Sequence, residues 1–470
     1  MHTFSMLIDG NLVSSEDTFP VINPADESIL AHAPNATDKQ LDQAIAAAEK
    51  AFDSWKNLSH AQRSEVLLGI AAAIKEHSEE LITLLVSEQG KSRAQAEREV
   101  LQMGAGGIVA RTALELKPKL VQDDDNAKIE VRYSPLGVAA AIVPWNYPFG
   151  IAMGKLTSAL LAGCTLILKP SPFTPLSTLR LGEIIKDIVP AGVLNILSGD
   201  DSFGPRLTSH PGVKKISFTG STATGKKVMA SAASDLKRVT LELGGNDAAI
   251  ILDDIDLEKA ALPLFLGAFI NGGQTCVAIK RIYAPAAIYE QVVQAMATIA
   301  QQIKVGPGSD PESTMGPVQN KLQYQRVLDV LASITDSGGR IVCGGKPMEG
   351  KGYFIEPTVV ADVTEGCKLV DEETFGPVVP VIKYDNIEDV IQRANNTEYG
   401  LGGSVWGTDI KRATDIALQL QSGTAWVNQH PALNPLVPLA GAKHSGFGME
   451  SGIEGLQEFC QLQVLNIKKA

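Results

Sequence analysis

Residues 138–171 read VAAAIVPWNYPFGIAMGKLTSALLAGCTLILKPS, and their rhythm decides the fold. An apolar run, VAAAIVPW, meets a proline-bounded turn, a helix-like stretch follows from Ile151 to Ala162, and TLILKP is a second apolar run. The pattern recurs downstream as a helix around 175–187 and strands in VLNILSG and KKISFTG. Strands alternating with helices at this spacing predict a parallel sheet covered on both faces. Ligands of such sheets sit beyond the C-terminal strand ends. The loops after Val143, Leu168 and Phe218 are therefore the places to look.

Upstream, the spacing predicts helices over 38–55, 61–88 and 92–115, with Gly90 as a stop. Asp123–Asp124–Asp125 reads as a solvated loop, and Lys128–Arg132 as a strand of a hairpin. Downstream, a second α/β stretch runs from near Val239 to about residue 443, with strands in RIYAP, VVPVIKY and GTAWVN. The tail, FCQLQVLNIKK, reads as a final strand.

The whole chain has 470 residues, a length that suggests about three domains. Its 53 acidic against 41 basic residues leave a net charge of −12, which argues against nucleic acid or an anionic membrane as partner. Five separated cysteines and seven scattered histidines give neither a disulfide framework nor metal-ligand spacing, so no metal is expected. The uncharged stretch Leu136–Gly154 is long enough to span a bilayer, but Pro144, Asn146 and Pro148 interrupt it. Without a signal-like N-terminus, a cytoplasmic location is expected.

Four places could carry chemistry. Gly220-Ser221-Thr222-Ala223-Thr224-Gly225-Lys226-Lys227 nearly matches the nucleotide-triphosphatase loop, but Lys227 replaces the magnesium-holding hydroxyl. It reads equally as a plain strand-to-helix turn or as a phosphate-receiving helix start. Cys276 follows Asn271-Gly272-Gly273-Gln274-Thr275. Most unpaired cysteines are inert core residues, yet paired glycines permit close approach by a ligand, and a nucleophilic thiol needs activation. Glu242, in Leu241-Glu242-Leu243-Gly244-Gly245, is either a solvent-facing strand residue or a carboxylate raised toward neutrality by apolar neighbours. Asn146 is either a turn asparagine or an amide donor to a developing oxyanion.

Together, PWNYP, ILKPS, FTGSTATG, LELGG, NGGQTC, EETFGPV and KHSGFGMESG resemble, in order and spacing, the NAD(P)-dependent aldehyde dehydrogenase superfamily over essentially the whole chain. The resemblance implies a hydrolytic, non-CoA-acylating enzyme of α/β class. Its parts would be a Rossmann-type cofactor domain (1–116, 136–244 and 445–458), an α/β catalytic domain (245–444) and a small β oligomerisation arm (117–135 and 459–470). A homodimer or homotetramer follows, because the arm's edge strands need partners. Carried over, Cys276 is the nucleophile, Asn146 and the Cys276 N–H hold the oxyanion, and Glu242 activates the water that hydrolyses the thioester. Lys155 and Glu450 match a pair that assists proton movement in some members, or else form an ion pair.

For NAD or NADP, the resemblance implies Lys169 at the adenosine ribose, Glu373 at the nicotinamide ribose and Phe375 beside the ring. Val143, Pro144, Trp145, Ser171, Gly220, Ser221, Gly225 and Leu243 complete the cofactor contacts. NAD-preferring members often carry a glutamate where this chain has Pro172, so both coenzymes stay open. A second departure is Leu439, in PLAG, where many members have an aromatic residue. Succinate-semialdehyde members often place an arginine just before the residue matching Lys155, and here Gly154 stands there. With Tyr147, Gly150, Thr275, Val277, His430 and Leu433, these positions imply a roomy, mostly uncharged channel for a bulky or uncharged small-molecule aldehyde. The alternatives are a succinate-semialdehyde-type enzyme and a non-catalytic protein that retains the fold.

Overall fold

The computed structural model describes residues 2–469; Met1 and Ala470, the ends of two expected segments, lie outside the described residues. The stretch quoted first forms the middle of an eight-stranded sheet. Its parallel strands are β1 (Val138–Ile142), β2 (Thr165–Lys169), β3 (Leu194–Ile196), β4 (Val213–Thr219) and β5 (Arg238–Glu242), in the spatial order β3-β2-β1-β4-β5. From β1 the chain moves outward through β2 and β3, then returns to add β4 and β5 on the other side. That reversal is a topological switch point, and the loops leaving β1 and β4 flank its crevice. Met6–Ile8 and Asn11–Val13 extend the β3 edge antiparallel, and Gly446–Phe447 borders β5.

The continuous apolar character of β1 and β2 follows from burial on both faces. Between them lies α1 (Pro148–Ala162), which starts on a proline whose fixed φ suits a first turn and stops at left-handed Gly163. Helix α2 (Thr222–Ala233) follows β4, with the Ser221 hydroxyl accepting from the Thr224 amide as its N-cap.

The N-terminal helices differ in detail from the periodicity. Asp38–Lys56 is as expected, closed at its start by a Thr37/Gln40 capping box. The stretch 61–88 is two helices, His60–Glu76 and Ser78–Gln89, separated at His77 and stopped by Gly90 in the left-handed region. The helix expected over 92–115 is shorter and irregular. Arg93–Glu97 and Gly107–Arg111 are α-helical, and Arg98–Gly106 between them is a π segment. Asp123 ends a strand, Lys119–Asp123, rather than lying in a loop. The hairpin turn is held by the Asp124 carboxylate, which accepts from the amides of Asn126 and Ala127 at 2.8 and 2.9 Å.

A second, seven-stranded sheet has β6 (Asp247–Ile251) and β7 (Ile279–Pro285) at its centre. Val378–Tyr384 and Thr358–Ala361 lie beyond β7, Gly402–Trp406 and Thr424–Val427 beyond β6, all parallel, with Arg340–Cys343 an antiparallel edge. Apolar clusters cover both of its faces. Helix α3 (Leu257–Phe269) leads through a short loop containing Cys276 into β7. A third sheet pairs Ala127–Pro135 with Lys119–Asp123 on one side and Cys460–Lys468 on the other. Among the described residues, no helix is long and apolar enough to cross a membrane. Nor does any group of three or more His, Cys, Asp or Glu side chains gather at a metal-binding spacing there.

Candidate active site at the seam between two sheets

The loop before β7 is unusually twisted. Asn271, Gly272 and Gly273 all have positive φ (51°, 62° and 74°), a conformation that glycine adopts without steric cost. At Gly273 a Cβ would stand 2.1 Å from the carbonyl oxygen of Gly376, so only glycine passes there. Gln274 pins the loop, donating to the Asn271 carbonyl at 2.9 Å and accepting from the Gln319 amide at 2.9 Å. Cys276 emerges half-buried. Burial and the neighbouring Glu242 push its thiol well above the ordinary range, while the Lys280 charge pulls it down.

Lys280 was not legible as a site residue. Its ammonium donates to the carbonyls of Thr275 and Cys276, each at 2.8 Å, and of Ala278 at 3.3 Å. It therefore collars the turn that carries the thiol. On its other side, Glu373 lies 3.6 Å away.

Asn146 reaches this loop from the end of β1. Its Nδ2 donates to the Gln274 carbonyl at 2.9 Å, two residues before Cys276, which leaves the second amide hydrogen available. Its own carbonyl accepts from Asn271 Nδ2 at 3.0 Å and from Lys91 Nζ at 2.9 Å. Lys91 is fully buried and paired with Glu99 of the π segment. Glu99 also accepts from the amides of Phe149 and Gly150, at 3.0 and 2.9 Å, and so anchors the first turn of α1. Two charges that sequence reading passed over thus fix the Asn146 backbone.

Glu242, the last residue of β5, is buried, and its Oε1 has no hydrogen-bond partner. Burial first, and the Glu450 charge second, raise its carboxyl to about 8. Lys155 on α1 donates to Ser217 at 2.7 Å and to Glu450. The expected Lys155–Glu450 association is therefore present as a close ion pair.

Most residues expected to contact the cofactor follow the C-terminal ends of β1, β2, β4 and β5; Glu373 and Phe375 come from the second sheet's part of the chain. Lys169, at the end of β2, is pulled down to about 8 by burial and donates only to the carbonyls of Pro170 and Gly199, at 3.3 and 3.2 Å. The Glu373 carboxylate accepts from the Gly245 amide at 3.0 Å; a Cβ on Gly244 would meet that carboxylate at 2.4 Å, and one on Gly245 would meet the Cys276 carbonyl oxygen at 2.6 Å. Trp145 and Phe375 meet edge to face with centroids 5.3 Å apart. Val143 and Pro144 join β1 to this aromatic pair. Gly220 donates its amide to the Glu242 carbonyl, Leu243 to the Ser445 carbonyl, and Gly225 packs on Leu243. The Ser171 hydroxyl accepts from the Phe173 amide. A buried ammonium, Lys169, and a half-buried carboxylate, Glu373, suit a ligand bearing two sets of ribose hydroxyls, which can accept from one and donate to the other.

The family model for the aldehyde dehydrogenase family matches residues 12–465. The chain belongs to the aldehyde dehydrogenase family. It is 37% identical over 468 residues to a mitochondrial aldehyde dehydrogenase of Leishmania tarentolae, covering 98% of this chain and 94% of that one. Among solved structures, the NAD+ complex of an aldehyde dehydrogenase from Bacillus cereus superposes with a TM-score of 0.96 at 36% identity, covering 99% and 97% of the two chains. An NADP-dependent enzyme of Escherichia coli gives 0.96 at 34% identity, covering 99% and 98%.

In this aldehyde dehydrogenase the expected channel residues separate into two groups. Tyr147, half-open, accepts from the Thr275 hydroxyl at 3.4 Å and lies under Lys91, 4.0 Å from its ring centre. Gly150 is buried against Met103, and Gly154 is partly open. Leu439 pairs with Glu450 across two short strands, and Leu433 is exposed. Val277 and His430, like Gly150 and Thr275, are buried. Val277 packs with Leu401 and Trp426. The His430 side chain is 0% exposed and bonds the Val277 carbonyl at 2.8 Å, with Asp247 at 3.4 Å. The wall at Gly154 is not uncharged either: the guanidinium of Arg111 backs it, with Nη2 3.5 Å from where a Cβ would stand.

Proposed function

We propose that this protein oxidises an aldehyde to its carboxylate with NAD+ or NADP+, through a thioester on Cys276. The observation that carries the reading is the pairing of the Cys276 thiol with a neighbouring buried carboxylate, Glu242, whose Oε1 has no hydrogen-bond partner among the described residues and which is raised to about 8. Sγ of Cys276 bonds to the carbonyl carbon, and the thiol proton passes to Glu242. The oxygen becomes an oxyanion stabilised by the free hydrogen of Asn146 Nδ2 and the Cys276 amide; such a donor typically lowers the barrier by about 3 kcal/mol. A bound nicotinamide supplies the hydride acceptor. Loss of the carbonyl hydrogen with its electron pair leaves a thioester. Glu242 first gives up the thiol proton to solvent; the carboxylate then takes a proton from water, the water oxygen bonds to the acyl carbon, and the C–S bond breaks as Sγ takes that proton back, releasing the acid, which ionises to the carboxylate. Lys169 and Glu373 are assigned to the two riboses, Phe375 to the nicotinamide ring, and Trp145 to the adenosine and diphosphate side. Pro172 provides no carboxylate to repel a 2′-phosphate, so both coenzymes are accommodated.

Cys276→Ser should abolish NAD(P)H formation over an aldehyde panel run with each coenzyme. Glu242→Gln should retain a burst of about one NAD(P)H per site and lose steady turnover. Only the deprotonated carboxylate can act as base, so deacylation should rise as pH passes through about 8 and level off above it. Full steady-state turnover in Glu242→Gln, or a flat pH profile in the wild type, would remove Glu242 from this role.

A further inference from the structure

Helix α1 is buried along almost its whole length. Ile151 and Gly154 are its only partly open residues, and they lie three positions apart, on the same side as half-open Tyr147. This strip is the one face of α1 not closed by packing, and at its start Tyr147 meets the hydroxyl of Thr275, the neighbour of Cys276. Gly154 contributes no side chain to it, and what stands behind the gap is Arg111, with Nη2 3.5 Å from the vacant Cβ position. Arg111 ends the Gly107–Arg111 helix. Its Nη1 donates to the Gly107 carbonyl at 3.2 Å and its Nη2 to the Ser451 hydroxyl at 3.1 Å, while Nε is buried with no partner. Among the described residues, it makes no ion pair. Glu450 influences it from a distance but is held by Lys155. Guanidinium groups drawn out of water are ordinarily paired with an anion, and this half-buried one has donors to spare.

We propose that Arg111 is the receptor for an anionic group at the far end of the substrate, so that the preferred aldehydes carry a terminal carboxylate or phosphate. The proposal rests on the reading of the site as an aldehyde-oxidising centre. The planar fork of an arginine matches either oxyanion. Gly154 takes part by leaving the guanidinium uncovered. The positive charge therefore comes to this wall from a helix that ends 37 residues before α1 begins, and not from α1 itself.

The test compares kcat/KM for succinate semialdehyde and glyceraldehyde 3-phosphate with that for butanal, in the wild type and in Arg111→Gln, Arg111→Lys and Gly154→Ala. The wild type should favour one of the anionic aldehydes by tenfold or more, which also tells carboxylate from phosphate. Arg111→Gln should cut that preference at least tenfold, through KM more than kcat, and Arg111→Lys should restore part of it. Gly154→Ala places a methyl in ordinary contact with Nη2, so the chain should fold normally while the preference falls. A wild type that favours butanal, or an Arg111→Gln variant whose preference is unchanged, overturns the proposal. Failure with every aldehyde would instead sink the dehydrogenase reading. In that event, succinate and inorganic phosphate binding by calorimetry, wild type against Arg111→Gln, still decides the role of Arg111: weaker binding in the variant supports it, and equal or absent binding overturns it.

Discussion

At Lys280 one ammonium serves both the turn that carries the thiol, through three carbonyls, and the carboxylate of Glu373. Its charge opposes the upward push that burial and Glu242 exert on Cys276. Replacing it by methionine keeps the stem but removes the charge, so the thiol should titrate at still higher pH. Alkylation of Cys276 by iodoacetamide, followed between pH 7 and 10, should slow several-fold at fixed pH in Lys280→Met, with the profile displaced upward. An unchanged profile would reduce Lys280 to a packing role. Cys276, Glu242 and Asn146 could be singled out in the sequence because each has glycines or prolines at its side. Lys280 has no such marker, and it acts through carbonyls that any residue would provide. Arg111 meets Ser451 across 340 positions, a distance no local pattern spans.

Among the elements, the π segment Arg98–Gly106 shows most clearly where periodicity failed. Helical spacing extended one helix across 92–115, but spacing does not register the change in hydrogen bonding that turns Glu99 toward the start of α1. The strands were read well because parallel, doubly covered strands are apolar throughout, and the switch point followed from their order. The Glu99–Lys91 pair is buried on both sides, and removing one member strands the other charge. Either Glu99→Gln or Lys91→Met should destabilise the protein by about 3–5 kcal/mol, seen as a lower thermal midpoint. The double variant should lose less than the sum of the two, because neither charge is then left alone. Strict additivity would mean that the pair is not coupled.

For the molecule as a whole, the open question is what covers the three-stranded sheet. Along Cys460–Lys468 only the first residue is buried, and Leu462, Val464 and Ile467 are 50%, 55% and 43% exposed. A long apolar edge strand of this kind invites pairing with another chain. We expect the wild type to run in light scattering as a multiple of its 49.9 kDa mass, and a Leu462→Asp/Val464→Asp variant to move toward the monomer. A wild type that is monomeric at micromolar concentration would leave the arm without that purpose.

The seam itself has a consequence for how such a chain can be recombined. The thiol belongs to the loop before β7, whereas the carboxylate of Glu242 and the amide of Asn146 belong to the first sheet, and the two sides are stitched by Asn146–Gln274, Asn271–Asn146 and Gly245–Glu373 bonds. A chimera joined at Gly245 would inherit its nucleophile from one parent and its base and oxyanion donor from the other. Each parental half would arrive with its own parallel strands intact and its chemistry incomplete, so the reactivity of the hybrid would measure how well two lineages have kept the same stitching.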